Sequence, residues 1–211
     1  MRNYVTECIG TFFLVLTIGL TSASGTPLAP LAIGAALMVM VYMGGHISGA
    51  HYNPAVSLAL VMRGKLPSKE FLPYVMAQVM GALAASAVVS LTVGKVFGPS
   101  PAEHASGAGA LLVEILYTFA LCLVVLNVAT SSKTKGNSFY GLAIGFTVAA
   151  GAFAAGPVSG GAFNPAVGIG PLVWRAVVRG GSLSHLWLYL VGPLLGAVIA
   201  AAVYRLQETE S

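Results

Sequence analysis

Apolar residues gather into six long runs parted by short polar connectors, at approximately 4–23, 29–48, 71–94, 108–130, 139–156 and 186–205. A helix rising 1.5 Å per residue needs ~20 residues to cross a hydrocarbon core of about 30 Å. Each run therefore predicts a membrane-spanning helix. Two further apolar stretches, Asn53 to Met62 and Asn164 to Trp174, are only ten and eleven residues long. Each makes ~15 Å of helix, half of such a core. Ser22-Ala23-Ser24 resembles a signal-peptidase site, but only Arg2 precedes the first run and Glu7 interrupts its start. The run is read as a true span rather than a leader.

Composition supports the pattern. Of 211 residues, 57% are hydrophobic and 8% charged, against about 25% charged in a soluble domain, and mean hydropathy is +0.87. Sixteen charges, six of them Glu, cannot cover the surface of a soluble fold this size. The net charge of +4 does not point to nucleic acid, because the basic residues sit in short connectors and form no patch. They set orientation instead. Arg2, Arg63, Lys65, Lys69, Lys133, Lys135 and Arg205 fall on one side, and Lys95, Arg175 and Arg179 on the other. Cytoplasmic connectors carry the excess of Lys and Arg, which predicts that both termini are cytoplasmic. Cys8 and Cys122 lie inside apolar runs and read as small buried hydrophobes without metal-ligand spacing. No connector is long enough for a soluble domain, so one membrane domain is expected over 1–211.

The chain also repeats itself. Glu7, Thr11, Phe12 and Leu14 match Glu114, Thr118, Phe119 and Leu121 at an offset of 107. Ser48-Gly49-Ala50-His51-Tyr52-Asn53-Pro54-Ala55-Val56 matches Ser159-Gly160-Gly161-Ala162-Phe163-Asn164-Pro165-Ala166-Val167 at an offset of 111. Repeat 1 covers 4–94 and repeat 2 covers 108–205, each with three spans and a half-helix. An odd number of spans forces the halves into opposite orientations. The expected fold is an all-α membrane protein, with six transmembrane helices and two half-helices in an inverted 3+3 repeat. Such repeats place a permeation site near the midplane, where broken helices meet.

Asn is a strong N-cap residue and Pro is favoured at the first helical position. Asn53-Pro54 and Asn164-Pro165 therefore each start a half-helix, and inversion brings the two N-termini face to face. Each end carries the equivalent of about half a positive charge, and each Asn amide offers N–H donors to a passing oxygen. That combination favours polar neutral solutes and opposes cations. The Gly-rich stretches Gly44–Gly49 and Gly156–Gly161 are expected to be extended, which membrane depth permits only beside protein or a water-filled cavity. Carbonyls of Gly49, Ala50, His51, Gly160, Gly161 and Ala162 would then form a file of acceptors.

With these motifs in register, the sequence resembles the aquaporin (major intrinsic protein) family from Glu7 to about Arg205. The most specific marks are His46-Ile47-Ser48-Gly49-Ala50-His51-Tyr52-Asn53-Pro54-Ala55-Val56 and Phe163-Asn164-Pro165-Ala166. The resemblance implies a tetramer with one pore per subunit. It also implies a selectivity filter at the positions of Ile33, Ala152, Gly161 and Val167, and loop-bracing glutamates at Glu7 and Glu114. His46 and His51 read alongside them as bracing and lumen-lining groups. Most members of the family have arginine where this chain has Val167, and water-selective ones have His and Phe at the places of Ala152 and Ile33. The filter is therefore expected to be wide, apolar and uncharged, unless Arg175 or Arg179 folds back into the gap. If the two glutamates only brace loops, glutamine in their place is expected to preserve the hydrogen bonding.

The expected activity is passive conduction of water and small uncharged solutes, either glycerol-sized polyols or metalloid hydroxides such as arsenous acid. A secondary transporter is the alternative, because inverted repeats and broken helices also occur there. Catalysis is not expected, since no nucleophile–base pair or metal set falls in the lumen, and no cofactor or nucleic acid is implied. The expected surroundings are the lipid bilayer of the plasma (inner) membrane, with the chain multi-pass.

Overall fold

A computed structural model of the protein describes residues 1–208, and all regular structure among them is helical. Six helices have the length and apolarity of spans: α1 (Arg2–Ser24), α2 (Ala29–Ser48), α4 (Ser68–Val93), α5 (Gly107–Thr130), α6 (Tyr140–Ser159) and α8 (Leu186–Gln207). Two shorter helices, α3 (Pro54–Met62) and α7 (Pro165–Arg179), complete the set.

Two expectations about these elements need correction. α7 does not stop near Trp174 but runs 15 residues to Arg179. Its end is set by Gly180, which adopts φ 67 as a left-handed cap, with the Gly180 N–H donating to the Ala176 carbonyl and the Gly181 N–H to that of Arg175. The Gly-rich stretches are also mostly helical. α2 continues to Ser48 and α6 to Ser159, so only 49–52 and 160–163 remain irregular before the half-helices. Glycine weakens a helix only modestly, and inside a packed bundle its small size is useful. The helices stop where Gly49 (φ 89) and Gly160 (φ 90) turn left-handed.

Packing follows the repeat. α1 lies against α4 as α5 lies against α8, while α2 and α6 cross each other between the halves. Gly34 and Gly145 make that crossing close. A Cβ on Gly34 would sit 2.5 Å from the Gly145 carbonyl oxygen, and one on Gly145 would likewise strike the Gly34 carbonyl. The half-helices pack across the boundary, α3 on α8 and α7 on α4, which ties the repeats together.

Contacts at the two ends define the sides of the molecule. Tyr4 donates to Glu70 at 2.6 Å, Arg63 pairs with Glu208 at 2.6 Å, and Arg205 donates to the Met62 carbonyl at 2.6 Å. Both ends of the described chain thus share one face with the 63–70 connector. On the opposite face Lys95 donates to the Ala23 carbonyl at 2.9 Å. Phe13, Leu91, Phe146 and Leu195 stand exposed around the outside of the bundle, as a hydrocarbon surround requires.

Candidate pore

The two half-helices meet end to end, and the asparagines make the joint. Asn53 Oδ1 accepts the Ala55 N–H at 2.8 Å, and Asn164 Oδ1 accepts the Ala166 N–H at 2.9 Å. Each oxygen therefore caps its own helix. Each Nδ2 reaches the opposite repeat: Asn53 donates to the Phe163 carbonyl at 2.9 Å, and Asn164 to the Tyr52 carbonyl at 2.9 Å. A primary amide has two N–H donors, so one per asparagine remains uncommitted.

Behind this joint stand the two buried carboxylates, each collecting donors from one loop. Glu7 Oε1 accepts from Ser48 Oγ (2.6 Å) and His51 N (2.9 Å), and Oε2 accepts from Tyr52 N (2.7 Å) and Gln78 Nε2 (2.8 Å). Glu114 Oε1 accepts from Ser159 Oγ (2.7 Å) and Ala162 N (3.0 Å), and Oε2 accepts from Phe163 N (2.7 Å). The loops need this support, because Ala50, Tyr52 and Phe163 hold φ near +50 (51, 49 and 48), a region unfavourable to residues with a side chain. Tyrosines lock the preceding helix ends: Tyr74 donates to the Ser48 carbonyl at 2.9 Å and Tyr189 to the Ser159 carbonyl at 2.5 Å.

His46 does not join this bracing. Because α2 stays helical to Ser48, its side chain is exposed and lines the inner vestibule, with no hydrogen bond to either loop among the described residues. His51 is buried, with Nδ1 3.0 Å from Ser57 Oγ and its ring 4.8 Å from that of Tyr74.

A cavity of about 290 Å³ runs from the Lys95 face to the asparagines, with Asn53 and Asn164 both in its wall. Ile33, Ala152, Gly161 and Val167 all line it, together with Gly160 and Ala162. Neither Arg175 nor Arg179 does: Arg175 donates instead to the Ser182 carbonyl at 3.3 Å, and Arg179 is exposed. On the other side, a wider vestibule of about 1360 Å³ opens towards Arg63, Lys65 and Lys135, with Gly49, Ala50 and His51 in its wall. The two spaces adjoin at Ala50, His51, Val125 and Ile144. Pro54, Ala55, Pro165 and Ala166 are buried in the first turns of the half-helices and line neither space.

Several wall and support residues escaped the sequence reading. The 94–106 connector folds inward, so that Phe97, Gly98 and Pro99 form part of the outer mouth, pinned by Ala102 N–H on the Val158 carbonyl at 3.0 Å. Its Gly-Pro content was the available signal. Gln78 was also missed; a lone amide in mid-span marks a buried hydrogen-bonding site. Tyr74 and Tyr189 carried no signal of their own. Among the described residues, no group of three or more His, Cys, Asp or Glu could hold a metal ion.

The geometry predicts a cost for losing one asparagine. Asn164→Ala removes a cap worth ~1 kcal/mol and the bond to the Tyr52 carbonyl, which nets about 1 kcal/mol more. Thermal unfolding in detergent should shift downwards, and solute flux should fall with it. Unchanged flux in a fully assembled Asn53/Asn164 double alanine variant would show that the amides do not serve the lumen.

Comparison with known proteins gives a consistent picture. The sequence profile of the major intrinsic protein family matches residues 1–204. The chain is 39% identical to an aquaporin of the NIP type from Zea mays, over 98% of this chain and 74% of that one. It is 38% identical to a glycerol uptake facilitator-like protein of Lactiplantibacillus plantarum, over 100% of both. Its structure matches the X-ray structure of the aquaglyceroporin from Plasmodium falciparum with a TM-score of 0.85 and 25% identity, covering 96% of this chain and 94% of that one.

Proposed function

We propose, for a chain that belongs to the major intrinsic protein family of membrane channels, that it conducts water and small uncharged solutes passively through the lumen between the paired asparagines. The observation that carries this reading is the outer cavity reaching Asn53 and Asn164, with an inner vestibule adjoining it. The N–H groups of His51, Tyr52, Ala162 and Phe163 are bound by the glutamates behind the loops. Their engagement turns the opposite ends of those peptides, the carbonyls of Ala50, His51, Gly161 and Ala162, towards the lumen as acceptors. Ser48 and Ser159 Oγ hold the Ala50 and Gly161 N–H groups, and so the Gly49 and Gly160 carbonyls. Both half-helix N-termini add positive potential at the joint. A neutral molecule with hydroxyls replaces its water there at little cost, while a cation meets an opposing field.

The filter reading narrows the solute class. Ile33, Ala152, Gly161 and Val167 bring no charge and little bulk, so solutes larger than water have clearance. Glycerol-sized polyols and neutral metalloid hydroxides such as arsenous acid fit these requirements, and the glycerol-facilitator relative points the same way. Glu7 and Glu114 act as braces in this account. All their oxygens are already engaged by donors within the protein, which leaves no role for them as the proton relays a carrier would use. The whole chain acts as one channel domain in the plasma membrane, assembled as a homotetramer. The excess of Lys and Arg on the face shared by the chain ends supports a cytoplasmic position for both termini.

The test is flux into liposomes carrying the purified protein, run with water, glycerol, urea and arsenous acid. Water and at least one of the larger solutes should enter faster than in empty vesicles. Water alone, with glycerol and arsenous acid held at the empty-vesicle rate, would contradict the wide-filter reading.

A further inference from the structure

The inverted repeat means that each outer filter position has a counterpart on the inner side. At the offset of 111 that relates the Asn-Pro-Ala segments, Ile33 pairs with Ile144, Ala152 with Val41, Gly161 with Ala50, and Val167 with Val56. The two sets differ in bulk. Valine replaces alanine at one place and alanine replaces glycine at another, so the inner ring carries more side chain around the same geometry. His51 adds a ring where the outer half has only Ala162.

Burial follows this difference at three of the four pairs, while Val167 (4% exposed) is as closed as Val56 (3%). Ile33, Ala152 and Gly161 are half-buried, so solvent reaches them readily from the outer mouth. Their counterparts are nearly closed to it: Ile144 is 6% exposed, Val41 2% and Ala50 6%, with Val56 at 3%, His51 at 6% and Val125 at 6%. This ring also includes the stretch where the outer cavity gives way to the inner vestibule, since Ala50, His51, Val125 and Ile144 belong to the walls of both. His51 has little freedom to withdraw, because Ser57 holds Nδ1 and the Tyr74 ring lies against it.

Barriers along a single-file path act in series, and the tightest one dominates the rejection of large solutes. We propose that the size limit of this channel is set on the cytoplasmic side of the asparagines, by the ring of Val41, Ala50, His51, Val56, Val125 and Ile144, and not by the outer filter. Ile144 is the principal size-determining residue, because it lines both spaces where they adjoin and is 6% exposed, whereas the identical side chain of Ile33 lines only the outer cavity and is half-buried. The proposal rests on the channel reading given above.

The experiment compares symmetry-related substitutions in liposomes, with erythritol and ribitol flux measured relative to water and glycerol. Ile144→Ala should raise the erythritol-to-water ratio several-fold, and Val41→Ala should raise it in the same direction. Ile33→Ala, the matched change in the outer filter, should raise it distinctly less than Ile144→Ala does. Water flux in the same vesicles reports assembly, and Ile144→Val, with an intermediate rise, serves if the alanine variant does not fold. A rise in Ile33→Ala equal to or larger than that in Ile144→Ala would overturn the proposal, as would no change in any variant. If the native protein passed water but no glycerol, the solute reading would fall and this proposal with it. Glycerol flux in the native protein without the Ile144 response removes this proposal alone.

Discussion

Val167→Arg should lower polyol and arsenous-acid flux much more than water flux. Val167 lies in the first turn of α7, buried and in the wall of the outer cavity, and Gly161 lines the same cavity without a side chain. A guanidinium at 167 has space to extend across the lumen. It is planar, always charged and rich in donors, so it narrows the passage and holds passing oxygen atoms. Larger solutes lose clearance first, and the glycerol-to-water ratio should fall well below the native value. A fixed positive charge in a low-dielectric lumen also raises the barrier to a second cation, so any proton or cation leak of the native protein should decline as well. The check is paired stopped-flow measurements of water and glycerol, with a pH-sensitive dye inside the vesicles. Unchanged ratios and unchanged leak would mean that residue 167 does not control the outer lumen.

Glu7→Gln should be strongly destabilising, although glutamine is nearly the same size as glutamate. The four groups around Glu7 are all donors: Ser48 Oγ, the His51 and Tyr52 N–H groups, and Gln78 Nε2. An amide replaces one acceptor oxygen by an NH2 group, which then faces donors whichever way it is flipped. At least one buried donor loses its partner, at a cost of about 1–3 kcal/mol, beside residues already held at positive φ. The expectation that glutamine preserves the bonding therefore fails for a physical reason: each Glu7 oxygen accepts a backbone N–H, from His51 or Tyr52, that can only donate. Glu114→Gln should behave alike but more mildly, since Glu114 receives three donors and has no counterpart of Gln78. Melting in detergent should show the Glu7 variant lower than the Glu114 variant, and both below the native protein. Native-like melting of Glu7→Gln would sink the bracing account.

Most of the architecture was legible because the bilayer leaves few choices. Run lengths predict the spans, the Asn-Pro pairs predict where the half-helices begin, and the odd number of spans per repeat predicts the inversion. What escaped depends on contacts between distant segments. The end of α7 is decided at Gly180 and not at Trp174, because an apolar-polar boundary is a weaker stop than a left-handed glycine cap. The helical state of the residues before Gly49 and Gly160 overrode their glycine content through packing in the bundle. The inward fold of Phe97 to Pro99 rests on the Val158 carbonyl and on Leu172 packing at Gly98, neither of which a short polar connector announces. His46 was misjudged because its place beside the motif suggested a partner, whereas one more turn of α2 carries it into the vestibule.

Passive conduction, as proposed for this channel, needs no energy coupling, because the buried carboxylates are already engaged by donors of the protein. Its most direct test is the initial rate of glycerol entry into protein-bearing liposomes across a wide concentration range, with and without an imposed proton or sodium gradient. A passive channel gives a rate that rises linearly with glycerol, ignores either gradient, and stops when the inner and outer concentrations are equal. A rate that saturates at low glycerol, or accumulation beyond the external concentration when a gradient is applied, would contradict the account and establish a carrier.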